Sequence, residues 1–243
     1  MFYQSIAEYY DFIFPPSEKQ RAFIEQELSG LERKTLLEAG CGTGNLASLL
    51  SEKGADVTGI DLDKEMILKA KTKVPANGRI TFENLNILEI DQRWAKETFD
   101  GVVSFGNTLV HLKDKKQVLQ FLKGCFMVLK PGGKLLVQII NYDRILDNEI
   151  NALPTIDNEK ISFERFYDYG PGDNHIDFRT ILTVKESNTV MRNVVSLLPV
   201  RQKDLKCLFE ETGFEKMRVF GGFGGNGLTS DSIPLVFSAM KPV

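Results

Sequence analysis

The stretch Thr35-Leu36-Leu37-Glu38-Ala39-Gly40-Cys41-Gly42-Thr43-Gly44-Asn45 sets three alternate glycines between an apolar run and a helix start. Glycine adopts backbone conformations closed to other residues and lets a ligand approach without meeting a Cβ. A second apolar run, Val57-Thr58-Gly59-Ile60, ends on Asp61. A carboxylate there, about twenty residues beyond a glycine turn, is placed to accept two hydrogen bonds from a ribose. Together these features predict a nucleoside-bearing cofactor lying across the carboxyl ends of parallel strands.

Two details separate the cofactor classes. The dinucleotide fingerprint is G-x-G-x-x-G, whereas these glycines fall as G-x-G-x-G and Asn45 holds the last fingerprint position. Glu38 also stands two residues before the first glycine, and an anion there repels a pyrophosphate, which needs helix N–H groups and a positive dipole. An acid suits a cation, such as the amino group and sulfonium of S-adenosyl-L-methionine. At these residues the chain resembles the class I S-adenosylmethionine-dependent methyltransferases, whose first motif reads (D/E)-x-G-x-G-x-G. Glu38, Gly40, Gly42 and Gly44 match it position by position. A glycine turn alone is equally an ordinary strand-to-helix connection; Glu38 and Asp61 in register give it meaning.

The order of elements predicts an α/β fold. Ser17, after Pro15-Pro16, caps a first helix running through Leu28. Strands are expected at Thr35–Leu37, Asp56–Ile60, Ile80–Glu83, Gly101–Phe105 and Lys134–Ile140. Helices are expected from Asn45 to Lys53, from Lys64 to Lys73 and from Lys115 to Leu129, the last with an apolar stripe of Val118, Leu119, Leu122, Phe126 and Leu129. The run Lys113-Asp114-Lys115-Lys116 reads as a solvated first turn. Alternating strands and helices imply a doubly wound parallel sheet. The family resemblance extends this to seven mostly parallel strands in one methyltransferase domain over residues 1–243. Pro131-Gly132-Gly133 resembles the family's turn before its fifth strand.

Composition disfavours other classes. At 243 residues, with 42% hydrophobic and 26% charged side chains, the chain can bury one substantial core. A net charge of −3 gives no basic field for a nucleic-acid duplex. Apolar stretches such as Leu135–Ile140 are too short to span a bilayer. Glu8 and Asp11 near the start do not read as a signal peptide. Three cysteines, Cys41, Cys125 and Cys207, are odd in number and lack metal-ligand spacing, which fits a reducing cytoplasm and no metal centre.

The resemblance implies further contacts. Asp61 binds the ribose hydroxyls, and Met66 packs on the adenine face or is plain core. Asn86 stands where the family has an acid near the adenine amino group, and Ile87 offers its backbone N–H. Phe105, at the end of the fourth strand, lies beside the transferable methyl. The segment Phe105-Gly106-Asn107-Thr108-Leu109-Val110-His111-Leu112, with Asn141-Tyr142-Asp143, resembles small-molecule methyltransferases, among them the glycine and sarcosine N-methyltransferases. It lacks the Pro-Pro signature of amino-methyltransferases that act on DNA or protein. In those small-molecule enzymes the residue matching Asn141 lies near the substrate amine. His111 is a structural residue, a substrate contact or a general base.

Residues 147–200 alternate aromatic and charged side chains, namely Phe163, Arg165, Tyr167, Tyr169, Asp177, Phe178 and Arg179, with a turn at Gly170-Pro171-Gly172-Asp173-Asn174. This predicts an antiparallel insertion, either decorative or a cap in which Arg165 or Arg179 meets an anionic substrate. Gly221-Gly222-Phe223-Gly224-Gly225-Asn226-Gly227, between strands expected near Lys216–Phe220 and Pro234–Met240, reads as a connector that also serves as a lid. The segment Phe2-Tyr3-x-x-Ile6-Ala7-x-Tyr9-Tyr10-Asp11 resembles the family's N-terminal fold over the donor; Tyr10 contacts donor or substrate, or the segment is a docked amphipathic helix. The expected function is transfer of a methyl group to N or O of a small-molecule acceptor. The alternatives are a nicotinamide-dependent oxidoreductase and a non-catalytic donor-binding module.

Overall fold

In the computed structural model, which describes residues 6–74, 79–170 and 175–243, the expected central strands form. They are β1 (Thr35–Ala39), β2 (Asp56–Asp61), β3 (Ile80–Asn84), β4 (Phe99–Ser104) and β5 (Leu129–Ile140). With β10 (Glu215–Phe220) and β11 (Pro234–Met240) they make a seven-stranded sheet in the order β10-β11-β5-β4-β1-β2-β3. The five central strands pair in parallel, and β11 runs antiparallel to β5 and β10. Pro234 opens β11, the position where a residue without an N–H costs no ladder bond.

Helices cover both faces, so Leu36, Leu37, Val102, Val103, Leu135 and Leu136 are all buried in unbroken apolar runs. One layer holds α2 (Glu18–Leu28) and α3 (Asn45–Glu52), which bury Phe23, Ile24, Leu46 and Leu50. The other holds α6 (Lys115–Val128) and α8 (Gln202–Thr212), which bury Val118, Phe121, Leu122, Leu205 and Phe209. Ser17 caps α2, accepting the Gln20 N–H at 3.4 Å. The short helices are α1 (Tyr10–Ile13), α4 (Lys64–Lys71), α5 (Ile90–Arg93) and α7 (Tyr142–Asp147).

Local details differ from expectation. Asp114 is the α6 N-cap, accepting the Gln117 N–H at 2.9 Å, and Lys115 pairs with Asp204 at 2.7 Å, so the charge run is not merely solvated. β5 starts at Leu129, and its pairing with β4 shifts register across Pro131-Gly132-Gly133, so the turn is absorbed as an irregularity inside one strand. Helices α7 and α8 had no sequence expectation.

The segment over residues 147–200 contains an antiparallel sheet, β6 (Ala152–Asp157), β7 (Ile161–Tyr169), β8 (Ile176–Val184) and β9 (Thr189–Leu197), in that order. Period-two alternation sorts its side chains: Phe163, Arg165 and Tyr167 share a face with their cross-strand partners Leu182, Thr180 and Phe178. The Leu198 N–H donates to the Val110 carbonyl at 2.8 Å, tying the end of β9 to the tight turn Thr108–His111. The expected turn after Gly170 and the residues Phe2 and Tyr3 lie outside the described residues.

Candidate cofactor and acceptor site

Strand order reverses between β1 and β4, the place where open α/β sheets bind ligands at strand carboxyl ends. The glycine turn leaves β1 there. Gly40, Gly42 and Gly44 have φ of +83°, +53° and +78°, values that favour glycine. Their surroundings differ. A Cβ at Gly40 would lie 2.4 Å from Thr108 Oγ1, and one at Gly42 would lie 3.1 Å from the Tyr10 ring. A Cβ at Gly44 would lie 2.5 Å from the Phe82 ring, beneath α3. Gly44, expected to touch the cofactor, therefore caps α3 and seats it on β3, and lines neither cavity described below.

Asp61 ends β2 beside this turn. Its Oδ2 accepts the Gly42 N–H at 2.9 Å and its Oδ1 accepts the Asp63 N–H at 2.9 Å. Burial raises its pKa from the ordinary value, and these backbone N–H groups work against that rise. Glu38 is 6% exposed. Its carboxylate takes the Ala47 backbone N–H, but Oε2 has no partner among the described residues, and burial pushes its pKa up to about 8. An unpartnered buried carboxyl oxygen leaves a place for a cationic group.

Two adjoining cavities open at this edge. The first, about 400 Å³, is lined by Gly42, Asp61, Met66, Asn86 and Ile87, with Val194 and Val195 of β9 at its rim. Asn86 Oδ1 accepts the Leu88 N–H at 3.0 Å, which holds the following turn around Ile87. The second, about 380 Å³, is lined by Glu38, Asn107, Gln138, Phe163, Arg165 and Tyr167 among others. Tyr10, Gly40, Phe105, Gly106 and His111 line both. These five residues mark where one cavity passes into the other.

The shared wall is built from several elements. Phe105 is backed by Phe223, ring centroids 4.9 Å apart. Phe223 belongs to the Gly221–Gly227 segment, in which the Gly221 N–H donates to the Asn226 carbonyl at 3.0 Å. That segment lines neither cavity, against its reading as a lid. His111 is largely buried, which lowers its pKa to about 4 and keeps the ring neutral. Tyr10 is held by α1, whose Asp11 accepts from Thr43 Oγ1 at 2.5 Å, Asn45 Nδ2 at 3.0 Å and Lys73 Nζ at 2.6 Å.

Two expected substrate contacts are corrected. Asn141 caps α7, accepting the Arg144 N–H at 3.4 Å, and donates to the Ser232 carbonyl at 3.1 Å. Both polar atoms are committed to the fold, and Asn141 lines neither cavity. Arg179 sits opposite Phe166, on the face of the small sheet away from Arg165. It pairs with Asp168 at 2.9 Å and lies 4.5 Å from the Phe166 ring centroid. Arg165 does line the second cavity. Gln138 and Asn107 were missed by sequence reasoning. A lone glutamine within the apolar run Leu135–Ile140 was the available signal.

The comparisons bear on the same residues. A family model described as "Methyltransferase domain" matches residues 36–133, which include the glycine turn, Asp61 and His111. The candidate methyltransferase YqeM of Bacillus subtilis is 38% identical over 57% of this chain and 56% of its own, so this chain spans little more than half of it. A second candidate methyltransferase, from a Geobacillus species, is 31% identical over 67% of each chain. A glycine/sarcosine N-methyltransferase of Halorhodospira halochloris is 29% identical over 83% of this chain and 73% of its own. Among solved structures, the CcbJ methyltransferase of Streptomyces caelestis superposes with a TM-score of 0.82 at 19% identity, covering 98% of this chain and 96% of its own, a likeness of fold. The acid-and-glycine turn, the buried carboxylate of Asp61 and these relatives agree: the chain belongs to the class I S-adenosylmethionine-dependent methyltransferases, with S-adenosyl-L-methionine as its cofactor.

Proposed function

We propose that the chain transfers a methyl group from S-adenosyl-L-methionine to nitrogen or oxygen of a small molecule. The observation that carries this reading is the pair of cavities joined at Tyr10, Gly40, Phe105, Gly106 and His111. One has the size and lining for an adenosyl group. The other leaves room for an acceptor beside it.

In this reading Asp61 accepts the ribose hydroxyls, Met66, Asn86 and Ile87 bound the adenine, and Glu38 meets the ammonium group. Gly40 and Gly42 let the chain approach closely, with Tyr10 as cover. When bound, the cofactor supplies an electrophilic methyl on a sulfonium. The protein's task is then to align the acceptor, and holding two reactants together accounts for up to roughly 7–11 kcal/mol of barrier reduction. His111, neutral in its buried place, accepts a hydrogen bond or a proton from the acceptor. The insertion acts as a cap, with β7 and β9 closing the cavities from above. A non-catalytic role is disfavoured by the second cavity, and the relatives set aside the oxidoreductase. Three free cysteines, two of them buried, suit a reducing compartment such as the cytoplasm.

Thermal unfolding with S-adenosylmethionine, S-adenosylhomocysteine, NAD and NADP tests the reading. Ligand at about 100 times Kd stabilises by roughly 2.7 kcal/mol, and each kcal/mol moves Tm by about 2–4 °C at this size. A shift of several degrees with the two adenosyl-sulfur compounds alone is expected; a shift with the nicotinamides alone defeats the proposal.

A further inference from the structure

The second cavity carries hydrogen-bond donors that the described residues do not satisfy. Gln138 is 8% exposed. Its Oε1 accepts the Gly106 backbone N–H at 2.8 Å, which fixes the direction of the amide. The two Nε2 protons are thereby turned to the remaining space, and they meet no acceptor among the described residues. Gln138 can therefore only donate to what lies in the cavity. A glutamine whose oxygen is already committed reads its ligand as an acceptor of hydrogen bonds.

Arg165, on β7, lines the same cavity. Its Nη2 donates to the Pro154 carbonyl at 2.5 Å, while Nε is buried without a partner among the described residues. Thr180, its cross-strand neighbour, also buries a hydroxyl with no partner among the described residues. Arg179 on the opposite face has Asp168 as counter-ion, whereas no carboxylate among the described residues pairs with Arg165. A half-buried guanidinium without a counter-charge is unfavourable and is relieved by an anionic ligand. Glu38 is the one acid among the described lining residues, and it belongs to the donor end. The body of the cavity is aromatic: Phe14 and Phe163 meet edge to face at 6.3 Å, and Tyr167 lies 5.4 Å from Phe178.

We infer that the methyl acceptor carries a carboxylate on an apolar or aromatic body, with Gln138 Nε2 and Arg165 Nε donating to that group and Gln138 selecting against cationic acceptors. The inference rests on the methyl-transfer reading above and assigns its substrate class. Gln138 had no role in that reading.

The test is calorimetric binding of three matched probes, phenylacetate, phenylacetamide and phenethylamine, to protein saturated with S-adenosylhomocysteine. Wild-type protein should bind phenylacetate at least tenfold more tightly than phenethylamine. Gln138→Glu keeps an acceptor for the Gly106 N–H and should lose the preference for phenylacetate by tenfold or more. Arg165→Gln should weaken phenylacetate by tenfold or more, and Arg179→Gln should leave it unchanged. Equal or tighter binding of the amine overturns the inference. So does phenylacetate binding that is absent or indifferent to both Gln138 and Arg165. The thermal shift with S-adenosylhomocysteine, measured on each variant, reports folding and separates the two readings. No shift in the wild type defeats methyl transfer itself, whereas an intact shift without carboxylate preference defeats only the substrate class.

Discussion

Glu38, next to last in β1, and Asp61, last in the parallel neighbour β2, are both raised in pKa by burial, with the Asp61 charge raising Glu38 further. Glu38 keeps its proton to about pH 8 in the folded chain, against 4.5 for an unperturbed glutamate. Between those values the folded state binds more protons than the unfolded state, so stability falls as pH rises through that window. Glu38→Gln should flatten this slope and raise the Tm of the ligand-free protein at pH 8. It should also weaken S-adenosylmethionine by at least tenfold, about 1.4 kcal/mol. Thermal scans from pH 5 to 8 and titration calorimetry check both. An unchanged slope would remove Glu38 as its source.

Donor binding should also release protons. If the ligand's ammonium group meets Glu38, the carboxyl ionises on binding at pH 7, below its raised pKa of about 8. Calorimetry in buffers of different ionisation enthalpy should show net release approaching one proton per S-adenosylmethionine, and Glu38→Gln should abolish it. No release in the wild type would place the ammonium group elsewhere.

Gly44 makes a contrasting prediction, because its constraint is packing under α3. Gly44→Ala must hold a φ of +78° and press a methyl group into Phe82. Overpacking of this kind costs about 1–3 kcal/mol, which corresponds to roughly 2–12 °C in Tm. Donor affinity of the folded fraction should change much less than for Gly40→Ala, whose added Cβ would meet Thr108 at the cavity wall. Equal losses of affinity in the two variants would contradict this division.

These contrasts show where the sequence was readable. The glycine turn, Asp61 and the β-α order rest on local backbone chemistry and periodicity, so they could be read one segment at a time. Strand β11 was also legible, at Pro234–Met240 as expected. Arg165 and Arg179 could not be told apart, because the face each occupies depends on the pairing of β7 with β8. Asn141 was misread for a related reason: its cap on α7 needs a helix that the sequence did not announce. Gln138 acquires its meaning only when Gly106, 32 residues away, takes its oxygen.

His111 bears on the pH profile. Burial holds its pKa near 4, so the ring is neutral throughout the neutral range. The acid limb of kcat/KM owed to His111 should therefore lie near pH 4 to 5, with no inflection near its ordinary 6.5. If it receives the acceptor's proton, His111→Ala should cost about 10²–10⁴ in kcat, and His111→Asn, which keeps a hydrogen-bonding group, should cost less. A limb near 6.5 that disappears in His111→Asn would show a solvated histidine instead.

Asp11 should act through Tyr10. Its carboxylate joins α1 to Thr43 and Asn45 beside the glycine turn and to Lys73 at 2.6 Å. The Asp11 side chain is 43% exposed and that of Lys73 27%, and such pairs contribute only about 0.2–1 kcal/mol. Asp11→Ala should therefore lower Tm by no more than a few degrees. The Tyr10 ring, which packs on Gly42 and lines both cavities, should lose its position, raising the KM for the donor several-fold. Lys73→Ala should do the same, and the double variant should add little, because both remove one tie between α1 and the turn. Additive effects would mean that the two residues act separately, and an unchanged donor KM in both would mean that Tyr10 is positioned by other contacts, among them its aromatic contact with Phe14, 5.1 Å between ring centroids.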